Sequence, residues 1–161
     1  MGLEAARYFV RLSAAKVIIA VRSLSKGDTA KKAIEESEKR GSVVEVWELD
    51  LASYASVKAF AEKAMALKRL DVMVCNAGMY TFDFAMAEDN ERTITVNVIS
   101  TFLLALLLLP KLRETSVTHK KEVVLTFTGS FVHNMTKFPE RQADNILDDL
   151  AVEKDARMND R

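Results

Sequence analysis

Cysteine is the scarcest chemistry-bearing residue here: Cys75 stands alone among 161 residues. A lone thiol cannot close an internal disulfide, so a disulfide-stapled scaffold is excluded and a cytoplasmic location is expected. Glycine (five) and proline (two) are also few, and no repeat or low-complexity tract interrupts the chain. An excess of either charge is missing too. With 23 basic and 23 acidic side chains the formal net charge is zero, which removes nucleic acid and anionic membrane as expected partners. The opening Met-Gly-Leu-Glu-Ala-Ala-Arg has no apolar signal core, and Ala6 stands where a myristoylation motif needs Ser or Thr. Residues 96–109, with Val96 at one end and Leu109 at the other, contain Asn97 and are followed by Pro110. They fall short of about 18 unbroken apolar residues, so a buried helix is expected there and not a membrane span.

What is present is ordinary for a folded domain: 49% hydrophobic and 29% charged residues, enough for one core, and a single domain over residues 1–161 is expected. Leu3, Ala6 and Val10 mark one face of a helix over residues 2–12. Lys-Val-Ile-Ile-Ala-Val at 16–21 has the β-branched, continuous character of a strand covered on both faces. Ser25 and Asp28 have the spacing of a capping pair for a charged helix over 26–40 that ends at Gly41. A strand over 43–49 and a helix over 53–67 follow. Further on come a strand over 71–75, a long helix over 88–112, a strand over 122–128 and a weakly marked helix over 143–158. Helices alternating with strands in this way indicate an α/β fold with a parallel sheet and crossover helices.

Residues 71–78, Asp-Val-Met-Val-Cys-Asn-Ala-Gly, are too short for a helix and break at an Asn and a Gly where the chain must turn. They read as a buried strand delivering Asn76 and Gly78 to a ligand, the glycine allowing a flat molecule to approach the backbone. Arg22, Asp50 and Ser130 fall just beyond three other strands of the expected sheet, the edge where ligands gather in open α/β sheets.

Six strings in order, Gly2-Leu3-Glu4-Ala5-Ala6, Ala20-Val21-Arg22-Ser23, Glu48-Leu49-Asp50-Leu51, Asn76-Ala77-Gly78, Thr95-Val96-Asn97-Val98 and Lys137-Phe138-Pro139-Glu140-Arg141, resemble the short-chain dehydrogenase/reductase family, especially its fungal members. The resemblance covers essentially the whole chain. It implies a Rossmann-like doubly wound parallel sheet, a nicotinamide dinucleotide and a small carbonyl or alcohol substrate, with secondary metabolism as the setting. Gly2 resembles the last glycine of the family's phosphate-binding turn. Asp50 matches the acid that holds the adenine amino group, and Asn76 the residue beside the adenosine. Ser130 matches the hydroxyl that bonds the substrate carbonyl, and Asn97 the helix residue that anchors a proton-relay water. Arg22 carries its own argument: an acid at this place would repel a 2′-phosphate, whereas a guanidinium pairs with it, so NADP(H) is expected over NAD(H), with Ser23 and Lys26 as helpers.

Two parts of the family pattern are absent, and the fold is expected to be incomplete, truncated at both ends. The first strand and two of the glycines would precede Gly2, and a Tyr-x-x-x-Lys pair would follow Ser130, yet no tyrosine occurs after Tyr80. That first strand is central in the 3-2-1-4-5 order. Its neighbours, over 16–21 and 71–75, are expected to face a gap, and the apolar helix over 96–109 to be uncovered and available for self-association. An inactive remnant or association module is therefore the competing expectation. Tyr54 and Lys58 also spell Tyr-x-x-x-Lys, but they open a helix before Asn76 and are expected to be structural. Ser130 with His133 lacks a nucleophile elbow, His119, His133 and Cys75 lack metal-ligand spacing, and the scattered methionines read as gap-filling residues.

Overall fold

The computed structural model describes residues 1–158, which fall in two compact units, Met1–Asp50 and Leu51–Arg161. In the first unit α1 (Gly2–Arg11) buries Ala6 and Val10, while Leu3 stays exposed, contrary to its expected place on the buried face. Strand β1 (Val17–Val21) is followed by α2 (Leu24–Glu38) and β2 (Val44–Glu48). The two strands pair in parallel, from Val17 opposite Val44 to Val21 opposite Glu48, so α2 is the crossover that the parallel direction demands. Ala6, Val10, Ile34, Val43 and Val44 form the core of this unit, with Val17 and Ile19 packed against it.

The ends of α2 differ from expectation. Ser23, not the Ser25–Asp28 pair, caps it: the hydroxyl accepts the Lys26 N–H at 3.5 Å. Ser23 leaves the strand already extended (φ −113°, ψ 109°), the backbone an N-cap needs, so the helix begins two residues early. It ends at Lys39, which adopts the left-handed conformation (φ 53°), two residues before Gly41. The N–H groups of Lys39 and Arg40 reach back to the Glu36 and Glu35 carbonyls at 3.4 and 3.1 Å, closing the last turn without a glycine.

Helices α1 and α2 are joined by Arg11, whose Nε and Nη2 donate to Glu38 Oε2 and Oε1 at 3.0 and 2.9 Å. The hydrogen bond from Arg11 holds the Glu38 carboxyl below its ordinary value. A depressed folded-state value means that the pair stabilises above the unfolded carboxylate pKa of about 4.3 and stops doing so as pH falls through the folded value. The melting-temperature gap between the wild type and Glu38→Gln should therefore be present at neutral pH and close below about pH 4. A gap unchanged by acid would show that the pair contributes nothing to stability.

In the second unit Ser53 caps α3 (Tyr54–Met65) by accepting the Ser56 N–H at 3.3 Å. Val57, Ala61 and Ala64 are its buried side. Strand β3 (Val72–Cys75) pairs in parallel with β6 (Val124–Phe127), Val72 opposite Val124 and Cys75 opposite Phe127. The helix expected from residue 88 starts later. Residues 86–91 form a hairpin of β4 (Met86–Ala87) and β5 (Asn90–Glu91), with Glu88 at φ 54° in the turn. The helix then runs from Arg92 to His119 as α4 (Arg92–Ile94), a wide π turn (Thr95–Ile99) and α5 (Ser100–His119). It passes Leu112 because Leu112 and Thr115 are both buried, and Thr115 Oγ1 accepts the Leu70 N–H at 3.0 Å.

This 28-residue helix is long and apolar enough, by length and composition, to cross a membrane, and 39% of its most apolar window is buried. Leu104, Ala105 and Leu108 are covered, but Phe102 and Leu106 are 50% and 66% exposed, so the expected burial holds on one side only. Phe102 stacks on Phe127 of β6 at 4.8 Å between ring centroids. Among the described residues the strands form three two-stranded sheets, β1–β2, β3–β6 and β4–β5. The expectation is a β1 covered on both faces and a buried β3; instead Val72 and Val74 of β3 are exposed and β1 is only partly buried. Of the helix expected over 143–158, only α6 (Ile146–Leu150) forms, capped by Asn145.

Candidate functional site

In the first unit two expected residues stand at the carboxyl ends of adjacent parallel strands. Arg22 directly follows β1, and Asp50 lies two residues beyond β2, where the Leu49 N–H extends the ladder to the Val21 carbonyl at 2.9 Å. Arg22 is exposed and Asp50 half-buried. Around Arg22 are the Ser23 hydroxyl, 3.1 Å from that of Ser25, and the first turn of α2. A guanidinium, two hydroxyls and a helix amino terminus all favour a phosphate dianion. Gly2 is the first residue of α1.

In the second unit Asn76 and Gly78 follow β3, and Ser130 follows β6. Thr128 ties the two strand ends together: its N–H donates to the Cys75 carbonyl at 2.9 Å and its hydroxyl lies 3.5 Å from Asn76 Oδ1. Asn97, in the middle of the π turn, meets this edge from the helix. Its Oδ1 accepts the Met79 N–H and its Nδ2 donates to the Met79 carbonyl, both at 2.8 Å. A Cβ on Gly78 would lie 3.2 Å from Asn97 Oδ1. The room left by this glycine is thus taken by the asparagine amide, whereas the sequence had suggested room for a ligand. Asn97 is thus bonded to the Met79 peptide and packed against Gly78, while Asn76 is tied separately to the end of β6 through Thr128.

Ser130 is exposed. The His133 ring meets its carbonyl, with Nδ1 2.6 Å away, and not in the manner of a base poised on a nucleophile's hydroxyl. The Cys75 thiol is pushed up by burial, the direction opposite to activation. Tyr54 serves structure: its N–H donates to Glu88 Oε1 at 2.6 Å and its hydroxyl accepts from Asn90 Nδ2 at 3.4 Å, so the hairpin tip seats on the start of α3.

Two residues escaped the sequence. Gly27, buried in α2, lies so close to β1 and β2 that a Cβ there would fall 2.8 Å from Val21 Cγ2 and nearer still to Val46 Cγ1. Glu91, fully buried, accepts hydrogen bonds from the Thr93 N–H (2.9 and 3.0 Å to its two oxygens), the Ile94 N–H (3.2 Å) and the Thr93 hydroxyl. A glutamate is an uncommon cap, so spacing alone gave no sign of it.

Comparison with known proteins agrees with this geometry. A family model described as short chain dehydrogenase matches residues 1–130. The short chain dehydrogenase atnD of Emericella nidulans is 51% identical over all of this chain and 52% of its own length. A metagenomic short-chain oxidoreductase solved in complex with NADP shares 27% identity at a TM-score of 0.57, over 75% of this chain and 53% of that one. A short-chain dehydrogenase of Sphingobium yanoikuyae, in complex with NADPH, superposes with a TM-score of 0.68 at 22% identity, over 85% and 52% of the two chains. The chain spans about half the length of the curated relatives it matches. The fold is of the Rossmann type: parallel strand pairs joined by crossover helices, present in part.

Proposed function

This chain belongs to the short-chain dehydrogenase family, and from that membership we propose that it contributes the cofactor-binding part of an oxidoreductase moving a hydride between NADP(H) and a small carbonyl or alcohol. The bound nicotinamide would supply the hydride, and the chain's residues bind and orient. Gly2, Arg22 and Asp50 serve the adenosine and phosphate end, with Arg22 on the 2′-phosphate and NAD(H) disfavoured. Asn76 and Gly78 line the dinucleotide, Ser130 polarises the substrate carbonyl, and Asn97 holds the relay water. The observation that carries this reading is the clamp of Asn97 on Met79. It spends a half-buried amide on fixing one turn at the carboxyl end of a parallel strand, which is where this fold class places ligands. The proposal includes a single dinucleotide-binding domain over residues 1–161, a cytoplasmic setting in fungal secondary metabolism, no nucleic-acid or membrane partner, and self-association through the helix between Val96 and Leu109.

A specific observation favours a second reading, a non-catalytic association module: Phe102 and Leu106 of the long apolar helix are exposed. No Tyr-x-x-x-Lys follows Ser130 within the 161 residues. This stretch alone is therefore expected to bind NADPH weakly and to turn nothing over. Titration of NADPH fluorescence separates the two readings: a saturable signal that NADH reproduces only at higher concentration supports the cofactor role, and no signal up to millimolar NADPH leaves the association module. Consumption of NADPH dependent on an added ketone would contradict the non-catalytic reading outright.

A further inference from the structure

We propose that Glu91 is a positioning residue that acts through Asn97, setting the rotational phase at which the long helix presents its amide to Met79. This rests on the reading that places the 76–78 turn against the dinucleotide. Glu91 belongs to two elements at once. Its backbone is in β5, opposite Met86, and its fully buried carboxylate closes the first turn of the Arg92–His119 helix by accepting from the Thr93 N–H, the Thr93 hydroxyl and the Ile94 N–H. Those donors have no intrahelical acceptor, so the carboxylate decides which residue begins the helix.

The starting residue matters because Asn97 lies six positions further on. Each residue advances an α-helix by about 100°, so a start displaced by one residue would swing the Asn97 amide off the Met79 peptide. The clamp tolerates little such rotation: it is two-pronged, 2.8 Å on both arms, and Gly78 is already at close contact with the same Oδ1. The π turn that contains Asn97, Thr95–Ile99, makes its direction sensitive to the same start. The helix start has two other tethers, the Arg92 N–H to the Ala85 carbonyl at 2.8 Å and Thr95 Oγ1 to the Ala87 carbonyl at 2.8 Å. The second runs to the same hairpin as Glu91, and the first to the residue just before it. Glu91 satisfies the Thr93 and Ile94 N–H donors that these tethers leave open, and it therefore fixes the register that the two tethers hold in place.

Amide exchange of Met79, referred to that of Ala61 in α3 of the same unit, tests this with no cofactor present. Glu91→Ala should speed Met79 exchange about tenfold more than Ala61 exchange, and Glu91→Gln, which keeps one acceptor, about threefold more. In an Asn97→Ala background both substitutions should change the Met79 rate by less than about twofold, because the clamp is already gone. Should Glu91→Ala not fold, Glu91→Gln decides by the same ratio. Equal acceleration at Met79 and Ala61, or full acceleration persisting without Asn97, would reduce Glu91 to a general stabiliser and overturn the proposal. NADPH affinity, read in parallel, should fall with the Met79 rate. If the wild type binds no NADPH the functional reading fails, while the exchange ratio still decides the role of Glu91.

Discussion

Gly27→Ala should destabilise the Met1–Asp50 unit by about 1–2 kcal/mol, although alanine is the better helix former. In a helix interior alanine is favoured over glycine by about 1 kcal/mol, so propensity alone forecasts a gain. Packing opposes it and is larger. The new Cβ would sit 2.8 Å from Val21 Cγ2 and closer to Val46 Cγ1, and neither valine can swing aside because β-branching restricts its χ1. The helix would have to lift off the pair β1–β2, and overpacking of this kind costs about 1–3 kcal/mol. Trp47, the chain's one tryptophan, is buried in β2, so its emission during urea denaturation reports on this unit. The midpoint should fall in Gly27→Ala and recover in Gly27→Ala/Val46→Ala, where the nearer methyl has been removed. A midpoint equal to or above that of the wild type would show that α2 is free to shift, and the close approach would lose its meaning.

Gly27 also shows what one sequence can disclose. The period of apolar residues and the helix-end residues are local signals, and they place seven elements within two residues at each end: α1, β1, α2, β2, α3, β3 and β6. A close approach between a helix and two strands is a property of three segments together, and nothing within α2 distinguishes Gly27 from a tolerated glycine. The hairpin was missed for a related reason. Met86, Ala87, Asn90 and Glu91 carry too few apolar residues to set a period of two, so the helical pattern beyond them was extended backwards over the turn.

The exposure of β3 runs against the expectation of a buried strand because an apolar run discloses that a surface wants cover, not that cover is present, whereas the exposed Phe102 and Leu106 agree with the expectation of an uncovered helix. The placement of Arg22, Asp50, Asn76 and Ser130 at strand ends was legible, since a strand followed by a polar residue is a local pattern. The commitment of Asn97 to Met79 was not, since its partner lies 18 positions away and reaches it only through the fold.

Arg22→Asp is the substitution with the largest expected effect on ligand preference: NADPH binding should weaken about a hundredfold while NADH binding changes less than about threefold. The two cofactors differ in one 2′-phosphate, which carries between one and two negative charges near neutral pH. Two unit charges 4 Å apart interact with about 4 kcal/mol at an effective dielectric of 20 and about 1 kcal/mol in bulk water. Arg22 is exposed at the end of β1, so its pairing falls between those limits, and replacing attraction by repulsion counts the interaction twice. A net change of about 2.7 kcal/mol, a hundredfold, follows. Because the pair is open to solvent it is screened, and the preference should shrink several-fold between 20 mM and 500 mM salt, as the Debye length falls well below 10 Å. The α2 amino terminus and the Ser23 hydroxyl are untouched by the substitution, so whatever they contribute at the 2′-phosphate remains in the variant. Fluorescence titrations of both reduced cofactors at the two salt concentrations measure all of this. Equal weakening of NADPH and NADH would mean that Arg22 supports the loop and does not read the phosphate, and a discrimination indifferent to salt would place the phosphate elsewhere.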